Sequence, residues 1–239
     1  MTLTVQSCTF NYPRREPLFI DLDVGFRRGK TVLLGPNGAG KSTLLALCAG
    51  ALRTRRGGVS LDRLPANARE YRRRVAWLPQ TVAAFPALTV REQVVYSGWL
   101  KGMSARSARI AADRALEEVR LAPMRNKKAR ELSGGQLRRL GIAGALIHDA
   151  DAILLDEPYA GLDPSQRETL SAVIADISSE KILVVSTHQT DDFTDLYDHA
   201  VVLAAGTILF DGPSSDFLGR GTGSDPARSA YLSYVGAEA

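Results

Sequence analysis

The hydrophobic positions in the first third of the chain come in short runs that are rich in β-branched residues and separated by turn-forming residues. Such runs predict β-strands, and they fall at residues 3–9, 18–26, 30–34, 59–61 and 75–78. Two later runs, at 152–156 and 182–186, are almost entirely apolar and lie between helical stretches. This pattern is typical of parallel strands that are covered on both faces. The chain is therefore predicted to have an α/β core.

Residues 88–148 interrupt the strand pattern with a helical one. Thr89 followed by Glu92 forms a capping box for a helix that runs through Leu100, and Ser104 can cap a second helix. We therefore expect an all-helical subdomain inserted into the α/β core.

The pattern also predicts domain boundaries and the elements near the C-terminus. The predicted units are a core lobe at 1–87 and 149–212, the helical subdomain at 88–148, and a tail at 213–239. The elements predicted after His188 are a short acidic helix at 190–197 and two strands at 199–203 and 207–210.

Composition and charge exclude several other classes. The chain has 239 residues, of which 45% are hydrophobic, enough for one large core, and its net charge of +4 is a mild excess of 30 basic over 26 acidic residues. Two arginine-rich runs, at 53–56 and 69–74, are interpreted as solvated faces, and no nucleic-acid partner is predicted. No run approaches the roughly 18 apolar residues of a membrane helix, so we expect a soluble chain.

The cysteines and two of the histidines have no spacing that indicates a special site. Cys8 and Cys48 lie far apart without a CxxC pair, so neither a zinc site nor a disulfide framework is indicated, and a reducing cytosol fits best. Cys48 is expected to pack behind the helix that begins at Lys41. His148 and His199 are expected at the surface.

A glycine-rich loop follows the third predicted strand and begins an apolar helix. It matches the phosphate-binding (Walker A) pattern G-x-x-x-x-G-K-[ST] in the strand–loop–helix context that the pattern requires. Its glycines let backbone N–H groups converge on phosphate oxygens, and the helix N-terminus favours negative charge there. Lys41 would neutralise the β and γ phosphates, Ser42 would ligate Mg²⁺, and Thr43 would reach the α or β phosphate. The predicted ATP-binding residues here are Gly35, Pro36, Asn37, Gly38, Ala39, Gly40, Lys41, Ser42 and Thr43.

Two adjacent carboxylates, Asp156 and Glu157, end the apolar strand predicted at 152–156. At the carboxyl edge of a sheet both side chains can reach the crevice where nucleotides bind. Asp156 is expected to hold Mg²⁺, usually through water, and Glu157 to polarise the attacking water beside the γ phosphate. Alone, such a pair is more often a solvated strand end; the glycine-rich loop favours the catalytic interpretation.

The sequence LSGGQ places a second pair of glycines at the start of a helix. Ser133 is a good N-cap, and Gly134 and Gly135, followed by Gln136, leave backbone amides free to bind an anion. The structural interpretation is an ordinary helix start. The functional one is a second half-site for nucleotide on the same chain.

These three motifs together resemble the ATP-binding cassette (ABC) family over residues 3–212. The resemblance implies a P-loop NTPase core of the RecA-like type, with an N-terminal antiparallel β subdomain and the inserted helical subdomain. It also implies a head-to-tail dimer, expected to be a homodimer, in which LSGGQ of one subunit completes the ATP and Mg²⁺ site of the other.

Four further site residues follow from the resemblance alone. Tyr12 matches the aromatic that stacks on adenine, and Gln80 matches the glutamine that senses Mg²⁺ and the attacking water. Asp163 matches an aspartate at the dimer interface, and His188 matches the histidine that contacts the γ phosphate. Ordinary alternatives are a strand-end aromatic, a turn residue, the N-cap of a helix begun by Pro164, and a surface histidine.

The resemblance implies a function as well. We expect an ATPase on the cytoplasmic face of the cell membrane that drives a transporter whose membrane-spanning subunit is a separate polypeptide. The cassettes of bacterial exporters are the most similar; an importer cassette or a soluble ATPase, for example in metal-cluster assembly, is the alternative. Glu157 and His188 disfavour a nucleotide sensor without turnover. Phe85, Tyr96 and Trp99 lie where the family docks its membrane partner, although they would equally suit the core of the helical lobe.

Overall fold

The computed structural model describes residues 1–193 and 195–236, which form two β-sheets and eight α-helices. The strands are β1 Thr2–Phe10, β2 Phe19–Arg27, β3 Gly29–Leu34, β4 Arg56–Leu61, β5 Leu64–Pro65, β6 Val75–Leu78, β7 Ala152–Asp156, β8 Ile182–Thr187, β9 His199–Ala204 and β10 Thr207–Pro213. The helices are α1 Lys41–Cys48, α2 Tyr71–Arg74, α3 Val90–Leu100, α4 Ala105–Glu118, α5 Gly134–Leu146, α6 Pro164–Ala175, α7 Ser214–Leu218 and α8 Pro226–Val235.

The larger sheet contains the predicted parallel core. Its order is β10-β9-β3-β8-β7-β6, in which all neighbours pair in parallel except β10 with β9 at the edge. Every residue of β7 and β8 is buried, which explains their continuous apolar runs. Because parallel strands end at one edge of a sheet, the loops that follow β3, β7 and β8 lie together there.

The smaller sheet is antiparallel, in the order β2-β1-β4-β5, as the resemblance implied. Helix α1 lies between the two sheets, and its Leu44, Leu45 and Cys48 are fully buried in a core formed with both of them. A helix enclosed in this way is apolar on all sides, which the sequence of α1 shows. Cys48, the last residue of α1, is thus buried in the core on the inner side of the helix that follows the glycine-rich loop.

The helical insert begins where the sequence places its caps. The Thr89–Glu92 capping box precedes α3, and the Ser104 hydroxyl accepts a hydrogen bond from the Ser107 N–H at the start of α4. Helices α3, α4 and α5 pack against one another through small and aliphatic residues that continue the core of the larger sheet. The loop between β6 and α3 joins this insert to the carboxyl edge of the larger sheet.

The structure differs from the sequence predictions in three places. The predicted helix at 190–197 is a single 3-10 turn, Thr190–Asp192, and residue 194 lies outside the described residues. The C-terminal segment, to which no helix was assigned, forms α7 and α8, and their Phe217 and Ala230 join the main core. His148, expected at the surface, is only partly exposed: both of its ring nitrogens are buried and have no hydrogen-bond partner among the described residues.

None of the helices in the described ranges combines the length and the apolar composition needed to cross a bilayer.

Candidate nucleotide site

The glycine-rich loop joins β3 to α1 in a conformation that its glycines alone permit. Gly38 and Gly40 have φ of +84° and +105°, in the left-handed region that side chains disfavour. A Cβ at Gly35 would lie 2.1 Å from the carbonyl oxygen of Leu203, so the loop also approaches β9 too closely for any side chain. The loop is therefore held against the sheet with the N-terminus of α1 at its end, as a phosphate site requires.

Lys41 is the buried cation of this loop. Its side chain is 5% exposed, and Nζ donates hydrogen bonds to the carbonyl oxygens of Gly35 (2.7 Å) and Pro36 (3.1 Å). Burial lowers the pKa of Lys41 below its usual value, whereas the nearby carboxylates of Glu157 and Asp156 act in the opposite direction. A buried ammonium without full compensation is an attractive site for an anion such as phosphate.

Asp156 and Glu157 lie at the carboxyl end of β7 and are connected through β8. The Ser186 hydroxyl donates to Asp156 Oδ1 (2.7 Å) and accepts from the backbone N–H of Glu157 (2.9 Å). Glu157 itself has φ of +45°, which is uncommon for a residue other than glycine. This turn ends the alternation of the strand and explains how two successive carboxylates are buried at one edge, 2% and 8% exposed.

Glu157 lies between the predicted phosphate-binding residue Lys41 and the predicted catalytic residue His188. Its Oε1 lies 3.4 Å from Lys41 Nζ, and its Oε2 lies 2.8 Å from His188 Nδ1. The imidazole of His188 is about one-third exposed and follows the carboxyl end of β8. Three residues far apart in sequence thus form one continuous cluster beside the glycine-rich loop.

A cleft of about 570 Å³ opens beside this cluster. Tyr12 lines it, and the Tyr12 hydroxyl lies 3.0 Å from Thr43 Oγ1 while its ring meets Phe10 edge to face at 5.1 Å. Gln80 lines the same cleft. The lining residues that the sequence predicted are Tyr12, Asn37, Gly38, Gly40, Lys41, Ser42, Thr43, Gln80 and Glu157.

The predicted site residues that do not line this cleft are Gly35, Pro36, Ala39, Asp156, His188, Asp163 and the segment Ser133–Gln136. Ser133–Gln136 begins α5 with a complete capping box: the Ser133 hydroxyl accepts from the Gln136 N–H (3.3 Å), and Gln136 Oε1 accepts from the Ser133 N–H (3.0 Å). A Cβ added at Gly134 would have no neighbouring atom within 4 Å among the described residues, so the backbone there is open to a partner. Asp163 caps α6 through the Gln166 N–H (2.9 Å), the ordinary alternative named for it.

Two residues of the site were not predicted from the sequence. Ser186 is fully buried between Asp156 and Glu157. A polar residue inside an otherwise apolar strand needs a buried partner, and this was the available signal. Arg138, two residues after Gln136, donates to the carbonyl oxygen of Gln80 (2.6 Å), and burial lowers its pKa. It ties the start of α5 to the Gln80 loop.

A family profile described as "ABC transporter" matches residues 20–160, more than half of the chain. The chain belongs to this family, as the motifs indicated. The fold predicted from the resemblance, a P-loop NTPase core with an antiparallel β subdomain, is confirmed by solved cassettes of the same architecture. The chain has the fold of an ABC cassette.

Relatives with both transport directions are similar to this chain. The Nod factor export ATP-binding protein I of Burkholderia lata is 37% identical over 183 residues, which cover 75% of this chain and 60% of that protein. The molybdenum import ATP-binding protein ModC of Mycobacterium tuberculosis is 36% identical over 213 residues, which cover 83% of this chain and 58% of that protein. The chain thus spans less than two thirds of the length of either relative.

One solved structure shares the fold in a dimeric form. It is the cassette MJ0796 in a post-hydrolysis state with ADP and phosphate; its TM-score is 0.78, and its sequence is 25% identical. The match covers 88% of this chain and 98% of that one.

Proposed function

We propose that this chain is the ATP-hydrolysing subunit of a transporter and that it works as a head-to-tail dimer. The carrying observation is the cluster of Lys41, Glu157 and His188 at the cleft beside the glycine-rich loop. A cation for phosphate and a carboxylate for water lie within one site, as phosphoryl transfer to water requires.

The donor atoms in this site suit Mg²⁺. Ser42 is exposed in the cleft, Gln80 lines it, and the Asp156 carboxylate keeps an oxygen that is not used by Ser186. Hydroxyl, amide and carboxylate oxygens are the ligands that Mg²⁺ prefers. When bound, the ion would neutralise charge on the phosphates, with Ser42 and Asp156 holding it and Gln80 beside it.

Glu157 is suited to act as the general base. Its Oε2 is oriented by His188 and its Oε1 faces the phosphate-binding cation. The carboxylate would therefore lie next to a water that stands beside the γ phosphate. Glu157 would take a proton from that water as its oxygen attacks phosphorus and the bond to the β-phosphate oxygen breaks. His188 would hold Glu157 in place and contact the γ phosphate.

The open backbone at Gly134 supports the dimer. Gly134 is exposed and the capping box fixes the amides at the helix start, yet this element does not line the cleft of its own chain. In the proposed dimer it would close over the phosphates of the other subunit, with Asp163 near the same interface and Tyr12 against adenine. The dimeric cassette MJ0796 supports this arrangement.

An aromatic surface on the helical insert suits a membrane partner. Tyr96 contacts both Phe85 and Trp99, and the exposed fractions of Phe85, Tyr96 and Trp99 are 44%, 38% and 59%. Exposed aromatics in one cluster are typical of a protein interface. We propose that a separate integral membrane subunit docks here, which would place the chain at the cytoplasmic face of the membrane.

Export is the direction that we propose, and import is the second candidate. The Nod factor export relative supports export, and the molybdenum import relative, which matches a larger share of this chain, supports import. Co-purification of an integral membrane protein encoded beside this chain would support a transporter over a soluble ATPase. Purification without such a protein from solubilised membranes would contradict it.

Glu157→Gln tests the catalytic assignment. Glutamine keeps the shape of the side chain but cannot accept the proton, so we expect kcat to fall by about 10²- to 10⁴-fold. ATP binding should persist and trap the dimer, which light scattering measures. Glu180→Gln is the matched control, because Glu180 is exposed and pairs only with Arg28 among the described residues. Near-normal turnover of Glu157→Gln would refute the assignment.

A further inference from the structure

One guanidinium joins two loops of the site that are distant in sequence. Arg167, in the first turn of α6, donates from Nη2 to Gln189 Oε1 (2.7 Å) and from Nη1 to Asp192 Oδ1 (2.9 Å). Its Nε donates to the carbonyl oxygen of Leu162 (3.3 Å), the residue before Asp163. The planar fork thus holds the segment 188–192, called here the His188 segment, against the loop that precedes α6.

The acidic partner of Arg167 is itself fixed. Asp192 is 8% exposed and accepts a second hydrogen bond from the Thr187 hydroxyl, at the end of β8. The same hydroxyl accepts from the backbone N–H of Gln189 (3.1 Å). Both ends of the turn around His188 are therefore tied to one buried network that Arg167 completes. Charge-assisted hydrogen bonds of this kind are the stronger ones in proteins.

The ring of His188 depends on this network for its position. It lies between Thr187 and Gln189, it is about one-third exposed, and its Nε2 lies 3.4 Å from Gln189 Nε2. On its other side Nδ1 contacts Glu157 at 2.8 Å. The backbone turn and the Gln189 side chain therefore help to set where the imidazole stands.

We infer that Arg167 is a positioning residue for ATP hydrolysis: it places His188 against Glu157 by holding Gln189 and Asp192. This inference rests on the proposed function of Glu157 and His188. Arg167 also bonds to the Leu162 carbonyl, so a shift of the loop that carries Asp163 would move Arg167 and, with it, the His188 segment. In the proposed dimer, closure at Asp163 would therefore reach the catalytic pair through Arg167.

Steady-state hydrolysis by Arg167→Ala tests this role. A small displacement of a catalytic group lowers the rate rather than the binding of substrate, so we expect kcat to fall by about 10- to 100-fold and KM for MgATP to stay within about two-fold. Arg167→Lys should restore part of kcat, because the ammonium keeps a cation beside Asp192 but cannot make the fork.

Arg74→Ala is the matched control. Arg74 also pairs with an aspartate, Asp151, and its side chain is 30% exposed compared with 28% for Arg167. Arg74 ends α2 just before β6, at the edge of the sheet opposite Glu157, and it also pairs with Asp62. We expect the kcat of Arg74→Ala to stay within about two-fold of that of the unmodified chain, since neither lost ion pair reaches the site.

A spectroscopic readout separates positioning from general stability. The chain has three histidines, so the imidazole signals in ¹H–¹⁵N spectra can be assigned with His188→Ala. We expect the His188 signals to shift in Arg167→Ala and to stay in place in Arg74→Ala. If Arg167→Ala does not fold, Asp192→Asn provides the same test, because it removes the charged partner of Arg167 and leaves Gln189 beside His188.

The outcomes are distinct. Unshifted His188 signals, or unchanged kcat in the folded variant, would overturn the role of Arg167. A rise in KM in proportion to the loss of activity would also overturn it, since it would place Arg167 in ATP binding. Glu157→Gln, measured alongside, separates the proposed function from the role of Arg167. If Glu157→Gln retains turnover, the proposed function fails. If Glu157→Gln loses turnover and Arg167→Ala does not, only the role of Arg167 fails.

Discussion

His148 makes the stability of this fold depend on pH in a defined window. Both ring nitrogens are buried without a partner among the described residues, and the charged groups near the ring are Lys101, Lys181 and Asp149. Burial, and then the two lysines, lower the pKa of His148 from 6.5 to about 4, while Asp149 opposes them. The folded state therefore resists a proton that the unfolded chain accepts.

The sign and size of the effect follow from this difference in pKa. Between about pH 6.5 and about pH 4 the unfolded state binds more protons, so stability is present above this window and is lost as the pH falls through it. Since one pKa unit corresponds to about 1.4 kcal/mol, the full loss in the free energy of unfolding is about 3 kcal/mol, and about 2 kcal/mol of it is reached near pH 5.

His148→Leu isolates this contribution. Leucine fills the site without polar atoms, so the variant should be as stable as the unmodified chain near pH 7 and about 2 kcal/mol more stable near pH 5. Urea unfolding at the two pH values measures the free energies, and comparing the variant with the unmodified chain cancels every other titrating group. A difference that does not change between the two pH values would refute this account of His148.

The two interfaces of the proposed function give further predictions. Ser133→Arg and Lys41→Ala should each abolish turnover alone, and Lys41→Ala should also lose ATP affinity; an equal mixture should regain about one quarter of normal activity, because half of the dimers contain one intact site of two. No regain would argue against the shared interface. Trp99→Ala should release the membrane subunit in co-purification and keep the ATPase rate of the isolated chain within about two-fold, whereas Ile110→Ala, which changes a residue equally apolar and 68% exposed, should release nothing. Retention of the subunit by Trp99→Ala would place the docking surface elsewhere.

Local patterns determined much of this protein. The glycine-rich loop could be placed between β3 and α1 because the glycines, the lysine and the serine that define its motif lie within eight consecutive residues, 35–42. The capping box at Thr89 and the N-cap at Ser133 were equally readable, since a cap and the N–H that it satisfies are three residues apart. Continuous apolar runs identified β7 and β8 because their burial on both faces leaves no room for polar side chains.

Elements stabilised by distant contacts could not be read in this way. The Gly- and Ser-containing C-terminal segment indicated a tail, yet α8 begins at a local signal that was missed, Asp225 followed by Pro226. Its order comes from packing, because Phe217 of α7 contacts Phe193 and Phe210 from other parts of the chain. His148 was misplaced for the same reason, since only the folded chain shows what covers it.

By itself, then, the sequence predicted the phosphate-binding loop and located the two carboxylates at the strand end, because those motifs are contiguous. Only the tertiary structure decided that Glu157 lies between Lys41 and His188, that Ser186 joins Asp156 to Glu157, and that Arg167 holds the His188 segment. These contacts join separate strands and loops. Their geometry depends on the order of β3, β8 and β7 in the sheet, which no local pattern encodes.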